Sequence, residues 1–388
     1  MENKNRFIGS LISIYGAGFA QGAAFVLIPS LGKILAAPPY FFSSSAYGIL
    51  YLPEIAGAVL SALMSGWVQP RYGTKGVFRS GIFFNSLAML FLTAGAFLKN
   101  HAAYDFILAE SLFLGIGFGF TLAAVNPYAE TLFPKKAASA ITILNGVIGG
   151  ATAVSPLILH ESSIWNWGLW PAVLGLLFLI FLLLPVPSRD RAVNINHEEN
   201  PKDADPKTLW SWKLLFTASA VLIYAVSEGT FGSWANVYVS VVRNHSAYEG
   251  AFALSVFWGS MTVFRFFLAL ISDRLIPQRV LYLLSPLGIG VCFFMLPHCY
   301  SSAALIAAFA AAGACCSIYY PFSMEYGLSA YPGRQTQLAG FLVAALLIGE
   351  GIGSSAPGPL QSFLPLSQIY LISSLWAIPL FLLAEKIC

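Results

Sequence analysis

The sequence predicts an all-α membrane protein with twelve transmembrane helices in two pseudo-symmetric six-helix bundles. Of its 388 residues, 57% are hydrophobic and 10% are charged, against roughly 45–50% and about 25% in an ordinary soluble domain. A bilayer core about 30 Å thick needs about 20 helical residues, so twelve spans would use about two thirds of the chain. The net charge of +3 is small and scattered, which excludes a nucleic-acid surface.

Apolar stretches bounded by Pro, Gly and charged residues give twelve spans, numbered here in chain order. Spans 1 to 6 lie near residues 8–32, 46–69, 77–98, 106–132, 138–159 and 165–186. Spans 7 to 12 lie near residues 213–240, 248–271, 280–299, 302–327, 336–357 and 364–384. The charged stretch between the two groups has almost no apolar residues. We therefore predict an amino-terminal bundle (1–186), a solvated linker (187–211) and a carboxy-terminal bundle (212–388).

The positions of Lys and Arg predict the orientation. With a cytoplasmic amino terminus, sixteen of the 20 Lys and Arg fall on inner loops and ends, three fall on outer loops, and Arg265 is intramembrane. Because cytoplasmic loops carry the excess of positive charge, both termini and the linker are expected in the cytoplasm. No organelle address is evident, so we expect a multi-pass protein of a bacterial inner membrane or a plasma membrane.

Matching segments in the two halves indicate an internal repeat. Span 2 is followed by GWVQPRYGTK (66–75), and span 8 is followed by a second basic turn, ALISDRLIPQR (269–279). Span 4 ends in NPYAE (126–130) and span 10 ends in YPFSME (320–325), each with a base after a further proline. Duplicated halves are a common architecture of secondary transporters.

These segments resemble the major facilitator superfamily, whose signature after span 2 reads G-x-x-x-D-R-x-G-x-R/K. Gly66, Arg71, Gly73 and Lys75 match that signature, whereas Pro70 replaces its Asp. The second copy keeps the acid and base as Asp273 and Arg274 and lacks both glycines.

Within the superfamily, residues 115–119 running into Asn126, and residues 228–234, resemble the fucose-permease-like branch. That branch has a proton-handling acid four positions before Asn126, where this chain has Leu122, so a sugar and proton site does not carry over. The resemblance implies two bundles that rock around a central cavity, which spans 1, 4, 7 and 10 line and spans 2, 5, 8 and 11 flank.

Glu228 and Arg265 are the first candidates for solute contact, because charges inside a bilayer are costly and tend to face cavities. Glu228 lies near the midplane of span 7 beside two glycines, and Arg265 lies on the inner side of the midplane in span 8. A long arginine could reach Glu228 and form a structural ion pair, or a switch that substrate or proton breaks. An unpaired Arg265 would instead attract an anionic solute.

Glu54 and Glu350 are candidates for proton coupling together with Glu228. Each falls roughly 6 Å to the outer side of Glu228, on spans 2 and 11, which are neighbours in this superfamily. Two desolvated carboxyl groups at one depth suit a proton carrier. The alternative is that each is permanently protonated or hydrogen-bonded and helps to close an outer gate. Glu110, about a turn from the outer surface, is expected to be solvated.

A cytoplasmic gate is expected from charges at the repeated inner turns. Such a charge network comprises Arg71, Lys75, Glu130, Asp273, Arg274 and Glu325. Neutral polar and aromatic side chains within the spans could also hydrogen-bond a solute, although such groups more often join helices. That set comprises Tyr15, Gln21, Asn126, Tyr224, Trp234 and Tyr320.

Together these features predict a secondary active transporter of a small polar solute, a sugar or an organic acid, that is coupled to protons. The alternatives are an exporter of amphipathic drugs and a carrier of a polycarboxylate metal chelator. An enzyme or receptor is disfavoured, because there is no phosphate loop, HExxH motif or Gly-x-Ser-x-Gly motif. We expect no cofactor and no bound metal, a monomer in the bilayer, and a proton or another coupling ion as the second partner.

Overall fold

The computed structural model describes residues 2–186, 212–275, 277–329, 331 and 335–388. The predicted linker therefore lies outside the described residues, and the domain boundaries stay a prediction. We call the end of the molecule that holds both chain termini, predicted to be cytoplasmic, the inner end. The opposite end is called the outer end.

The helices of the first half follow predicted spans 1 to 6. Span 1 is Glu2–Phe25, extended by Leu27–Ser30 and Gly32–Ala36, and Ser44–Ile49 leads into spans 2 and 3, which form one helix, Tyr51–Gly95. Spans 4, 5 and 6 are Asn100–Leu132, Ala137–Ser163 and Leu169–Leu183, with a short turn at Pro134–Lys136.

One residue breaks the long helix at the predicted turn between spans 2 and 3. Gly73 has φ 66° and ψ 174°, a conformation that glycine adopts without the steric penalty of a Cβ atom. The second glycine of the signature is therefore required by the backbone. The predicted turn is correct, but it is a kink at one residue and the helix continues on either side of it.

The second half follows predicted spans 7 to 12. Spans 7, 8, 9 and 10 are Trp212–Val237, Ala247–Leu275, Gln278–Met295 and Ser302–Ser329, with a π-helical turn at Tyr238–Val242 and a 3-10 turn at Leu296–His298. Span 11 is Gln335–Ser355 continued by Pro357–Leu360. Span 12 is Leu366–Ser373, Ser374–Trp376 and Ala377–Ile387. Prolines mark several of these boundaries, since proline starts a helix readily and interrupts its interior.

Among the described residues, ten helices are long and apolar enough to cross a membrane. Spans 2 and 3 form one continuous helix and are counted once. The apolar helix of span 6 has 15 residues and is too short to be included among the ten. The twelve-span prediction is therefore confirmed. Spans 3, 6, 9 and 12 carry exposed apolar side chains, such as Leu90, Leu183, Val291 and Ile378, which suits the lipid-facing positions expected for them.

Close helix contacts repeat between the halves. In the first half, Gly22 of span 1 lies against the Ile148 carbonyl of span 5; in the second, Gly229 of span 7 lies against the Glu350 carbonyl of span 11. Likewise Gly119 of span 4 meets span 2, and Gly313 of span 10 meets span 8. In all four places an added Cβ would overlap the neighbouring helix, so small residues set the helix spacing. These matched contacts make the two bundles pseudo-symmetric.

Candidate transport site

A small cavity lies between the two halves at the level of the intramembrane carboxyl groups. Its volume is about 40 Å³, room for a few water molecules and far below the roughly 300–1,000 Å³ of pockets that enclose small molecules. The halves must therefore separate further before a solute fits. The lining residues are Phe25, Pro29, Tyr51, Glu54, Ile55, Ala58, Phe118, Gly229, Gly232, Ser233, Trp258, Leu347, Glu350 and Ser354.

Glu54 and Glu350 face this cavity from opposite halves. Spans 2 and 11 meet beside them, where Ile55 packs against Gly351. Glu54 is buried and Glu350 is half-buried, and Glu350 lies within electrostatic range of Glu54, Glu228 and Arg265. The structure thus brings together the two carboxyl groups that the sequence places at one depth.

Glu228 and Arg265 form an ion pair in which a guanidinium nitrogen lies 3.9 Å from a carboxylate oxygen. The Glu228 side chain is 10% exposed and the Arg265 side chain is 43% exposed, so the guanidinium remains open to a competing anion. Tyr224 and Tyr320 lie within electrostatic range of the pair, and the Tyr224 hydroxyl donates to the Cys316 carbonyl at 2.7 Å. Four of the predicted solute contacts therefore lie together around this pair.

Trp258 is a cavity residue that the sequence interpretation missed. Its indole N–H is buried and has no hydrogen-bond acceptor among the described residues, and its ring packs edge-on to Phe25 with centroids 5.7 Å apart. Trp258 and Arg265 are seven residues apart, so they share one face of span 8. Its position two helical turns before the intramembrane Arg265 could have predicted that Trp258 lines the same cavity.

The remaining predicted solute contacts lie away from the cavity lining. Tyr15 donates to the Ala140 carbonyl of span 5 at 3.0 Å, Gln21 accepts from Asn85 of span 3, and Trp234 donates to the Ser354 carbonyl of span 11 at 2.9 Å. These contacts join helices, which is the alternative left open for such residues. Asn126 is half-buried, and its buried side-chain oxygen has no partner among the described residues.

Glu110 corrects the expectation of a solvated side chain. It is fully buried in span 4, on the same helix face as the buried Ile107 and Leu114. Spacings of three and four residues place these side chains on one face. This periodicity predicts that Glu110 is buried, whereas the expectation of a solvated side chain considered only its depth along the span.

Hydrogen bonds join the halves at the outer end. Four of them connect spans 1 and 2, or their outer extensions, to the carboxy-terminal half. They are Lys33 to the His245 carbonyl at 2.9 Å, Ser44 to Gln361 at 3.1 Å, Tyr47 to the Ser233 carbonyl at 3.1 Å, and Asn236 to the Ser30 carbonyl at 3.2 Å. Tyr51 supports the third by donating to the Tyr47 hydroxyl at 2.9 Å. We call this set, with the contact of Gly48 and Gly358 described next, the outer seal.

The packing of spans 2 and 11 differs between the two ends. At the outer end a Cβ added to Gly48 would lie 2.9 Å from the Cα of Gly358. At the inner end Gly66 and Gly340 lie on the same faces of these helices as Ile55 and Gly351, yet no atom of the described residues lies within 4 Å of a Cβ added at either glycine. The two halves are closed at the outer end and apart at the inner end of this interface.

The predicted gate residues lie at the inner end. Arg71, Lys75, Glu130 and Glu325 are exposed, and no ion pair joins them among the described side chains. The side chains of Asp273 and Arg274 lie outside the described residues. A gate network that closes the inner end stays a prediction, and the separation of spans 2 and 11 suits its open state.

Comparisons with known proteins agree with this architecture. The sequence profile of the Major Facilitator Superfamily matches residues 7–354. The chain is 24% identical over 287 residues to the chloroplastic ascorbate transporter of Arabidopsis thaliana, which covers 66% of this chain and 51% of that protein. It is 25% identical over 275 residues to the probable anion transporter 3, chloroplastic, of the same plant, covering 64% and 52%. The chain thus spans about half the length of these curated relatives.

Among solved structures, a point mutant of the nucleoside transporter NupG has the same fold. The superposition has a TM-score of 0.78 at 11% sequence identity and covers 97% of this chain and 99% of that chain. At this identity the likeness concerns the fold alone. It does not separate the fucose-permease-like branch from others of similar architecture.

Proposed function

Because the chain belongs to the Major Facilitator Superfamily, we propose that it is a proton-coupled secondary transporter that carries a small organic anion by alternating access. The observation that carries this proposal is the ion pair of Glu228 with a half-exposed Arg265 inside the membrane. Arginine matches the geometry of a carboxylate with two parallel donors. Trp258, on the same helix face, supplies a further unused donor.

Coupling follows from competition for one guanidinium. When Glu228 is ionised it pairs with Arg265, and the pair carries no net charge. When Glu228 takes up a proton, Arg265 is free to hold the solute's negative charge, and the site is again neutral. One proton and one monoanion therefore travel together, because either loaded alone leaves an unpaired charge in a region of low dielectric.

Glu54 and Glu350 extend the proton path towards the outer end. Both line the cavity, and Glu350 interacts electrostatically with Glu228. Carboxyl groups on facing helices can pass a proton through water, and the cavity has room for a few water molecules. Asn126, Tyr224 and Tyr320 complete the proposed solute site on the inner side.

The relatives include carriers of both kinds of solute. Two matched proteins are, by name, an ascorbate and an anion transporter, and a third is a probable inositol transporter, so the preference for an anion rests on Arg265. A sugar stays the second candidate, since the glycine-rich segment 115–119 resembles the fucose-permease-like branch and Arg265 can also donate to hydroxyl groups. We further propose a monomer in the bacterial inner membrane with both termini in the cytoplasm, on the basis of the Lys and Arg distribution.

Uptake into proteoliposomes tests the proposal. We would offer ascorbate, other organic monoanions and hexoses under an inward proton gradient, and compare wild type with Glu228→Gln, Arg265→Ala and the exposed control Asp105→Asn. We expect monoanion accumulation that responds to the pH gradient and not to the membrane potential. Arg265→Ala should lower anion uptake by about tenfold or more, and Glu228→Gln should exchange solute but not accumulate it.

Two outcomes contradict this proposal in different ways. Accumulation of hexoses that persists in Arg265→Ala selects the sugar candidate and removes Arg265 from solute binding. Anion transport that ignores the gradient and is unchanged in Glu228→Gln rejects proton coupling at this pair.

A further inference from the structure

A second cavity lies between spans 7, 11 and 12, towards the outer end of the carboxy-terminal half. Its volume is about 480 Å³, within the roughly 300–1,000 Å³ of pockets that enclose small molecules. Among the described residues, it shares no lining residue with the transport cavity. The lining residues are Val226, Thr230, Ile352, Gly353, Ala356, Pro357, Leu360, Leu364, Ile369, Ile372, Ser373, Leu375, Trp376 and Pro379.

Span 11 separates this second cavity from the transport site. Ile352 and Ala356 are four residues apart and line the second cavity from one face of the helix, whereas Glu350 lines the transport cavity from another face. Between these two faces, Gly353 lies against the Val226 carbonyl of span 7. Spans 7 and 11 are therefore in contact between the two cavities, and the second cavity is a separate site.

Span 12 forms the opposite wall of the second cavity. Ile369, Ile372 and Trp376 line it at spacings of three and four residues, so they share one helix face. The adjoining face carries Tyr370, whose ring packs against Tyr238, in the π-helical turn after span 7, with centroids 4.7 Å apart. Span 12 is therefore held by another of its faces, which leaves a gap between its cavity face and span 11.

The second cavity opens sideways, towards the lipid. Ile372 and Leu375 are 53% and 59% exposed on span 12, and Ile352 is 45% exposed on span 11. The lining extends along span 12 from Ile369 to Pro379, a rise of about 15 Å, which is half of a bilayer core about 30 Å thick. Because span 12 begins at the outer end, the cavity has the depth of the leaflet at that end.

The lining of the second cavity suits hydrocarbon. Of the described residues that line it, none is charged, and only Thr230 and Ser373 carry a hydroxyl group. The Thr230 hydroxyl donates to the Val226 carbonyl of its own helix at 2.7 Å. Apolar cavities do not hold water, and side chains that border empty space lose dispersion contacts. The acyl chains of the bilayer can reach the open side and match this lining.

We propose that this second cavity, here called the lateral cleft, binds one acyl chain of a phospholipid from the leaflet at the outer end. The ester end of the chain lies near Leu360 and Leu364, and its terminal methyl group reaches Trp376 and Pro379. Dispersion contacts on several sides hold the chain, because the surrounding lipid is as apolar as the cleft. Leu360 belongs to the same short helix as Gly358 of the outer seal, so the bound chain packs behind the seal.

Photoreactive phosphatidylcholines test the proposal in liposomes that contain the wild-type protein. One lipid carries a diazirine near the ester of an acyl chain and a second carries it near the terminal methyl group, and labelled residues are mapped by mass spectrometry. We expect the first lipid to label Leu360 and Leu364 and the second to label Trp376. The second lipid should label Trp376 about fivefold or more above Leu287, an exposed residue near the middle of span 9.

Two variants fill the lateral cleft from opposite walls. Ala356→Phe adds bulk from span 11 and Ser373→Leu adds bulk from span 12. Each should lower labelling of Trp376 by the second lipid by about fivefold or more. Val291→Phe, at an exposed residue of span 9, is the control and should leave that labelling unchanged. The melting temperature reports whether each variant is folded, and one folded variant is sufficient.

Four outcomes would overturn the proposal, and none of them depends on the proposed transport function. Equal labelling of Trp376 and Leu287 in wild type would mean ordinary boundary lipid. Labelling of Trp376 that is unchanged in a folded filling variant would place the chain outside the cleft. Trp376 labelled by the first lipid and Leu360 by the second would mean entry from the other leaflet. Cross-links between two copies at Trp376 without lipid labelling there would mean that a second copy covers the cleft.

Discussion

Spans 2 and 11 meet the opposite half in two different ways along their length. At the outer end Gly48 and Gly358 bring the two backbones into contact, whereas at the inner end no described atom lies within 4 Å of a Cβ added to Gly66 or Gly340. Between these pairs, Ile55 packs against Gly351 beside Glu54 and Glu350. The same helix faces are thus closed on one side of the carboxyl groups and open on the other.

The difference indicates where the halves pivot. A rigid rotation about the Ile55 and Gly351 contact separates one glycine pair as it brings the other together, because packed helices move as units. Glycine at all four positions permits close backbone approach at either end. The contact faces of these two helices therefore have the arrangement that the proposed alternating access requires, and each end can be tested separately.

The largest effect is expected from a methyl group in the outer seal. In Gly48→Ala the added Cβ would overlap the Ser355 carbonyl, and overpacking of this kind typically costs about 1–3 kcal/mol. We expect labelling of a cysteine at Ser233 by an outer, membrane-impermeant thiol reagent to rise by about tenfold or more, with loss of transport. The control is Gly150→Ala, whose Cβ would have no neighbour within 4 Å among the residues that the structure describes; equal labelling in both variants contradicts the seal.

The next effect is expected at the open end. Gly66→Leu combined with Gly340→Leu places bulk where, in the described part of the chain, nothing lies within 4 Å of an added Cβ, so the melting temperature should stay close to that of wild type. Closure of the inner end should be blocked, and transport should fall by about tenfold. Solute binding measured from the inner side should be retained. Transport at the wild-type rate would show that spans 2 and 11 do not approach each other at this end.

A smaller effect is expected from the tyrosine hydroxyls of the seal. Tyr47 donates to the Ser233 carbonyl at 3.1 Å and accepts from the Tyr51 hydroxyl at 2.9 Å, and one hydrogen bond contributes about 0.5–1.5 kcal/mol. Tyr47→Phe should therefore raise outer labelling of the Ser233 cysteine by about two- to tenfold. Tyr248→Phe, at an exposed tyrosine, serves as the control. If Tyr47→Phe raised labelling as much as Gly48→Ala does, the hydroxyl groups and not the glycine contact would hold the outer end closed.

The smallest effect is expected from the lysine at the rim. Lys33 donates to the His245 carbonyl at 2.9 Å in a partly buried position, where interactions of charged groups contribute about 0–1 kcal/mol. Lys33→Met should change uptake by less than about twofold. A larger loss would mean that charge at the outer rim, more than helix contact, holds the halves together.

Part of the site could be predicted because depth along a helix is a property of sequence. Counting residues placed Glu54 and Glu350 at one level and brought Arg265 within reach of Glu228, and the structure has both arrangements. Rotation about the helix axis was harder to predict, since it depends on which neighbour each face meets. Gln21 and Trp234 consequently turn towards other helices.

Contacts between distant helices could not be predicted from either property. Gly48 and Gly358 are ordinary small residues until the fold brings their backbones together, and the unused indole N–H of Trp258 follows from the aromatic packing around it. Glu110 was missed because its depth near the outer surface suggested water, whereas it is buried on the face of span 4 that packs against span 3.

The most direct test measures both ends of the molecule at once. Spin labels are placed in a cysteine-free protein at exposed residues of opposite halves, Tyr72 with Val280 at the inner end and Phe41 with Phe363 at the outer end. We predict that adding a transported anion at low pH shortens the inner distance and lengthens the outer distance, with equal fractions of molecules changing at the two ends. An inner distance that changes while the outer distance stays fixed, or two distances that lengthen together, would contradict rotation about the contact of Ile55 with Gly351.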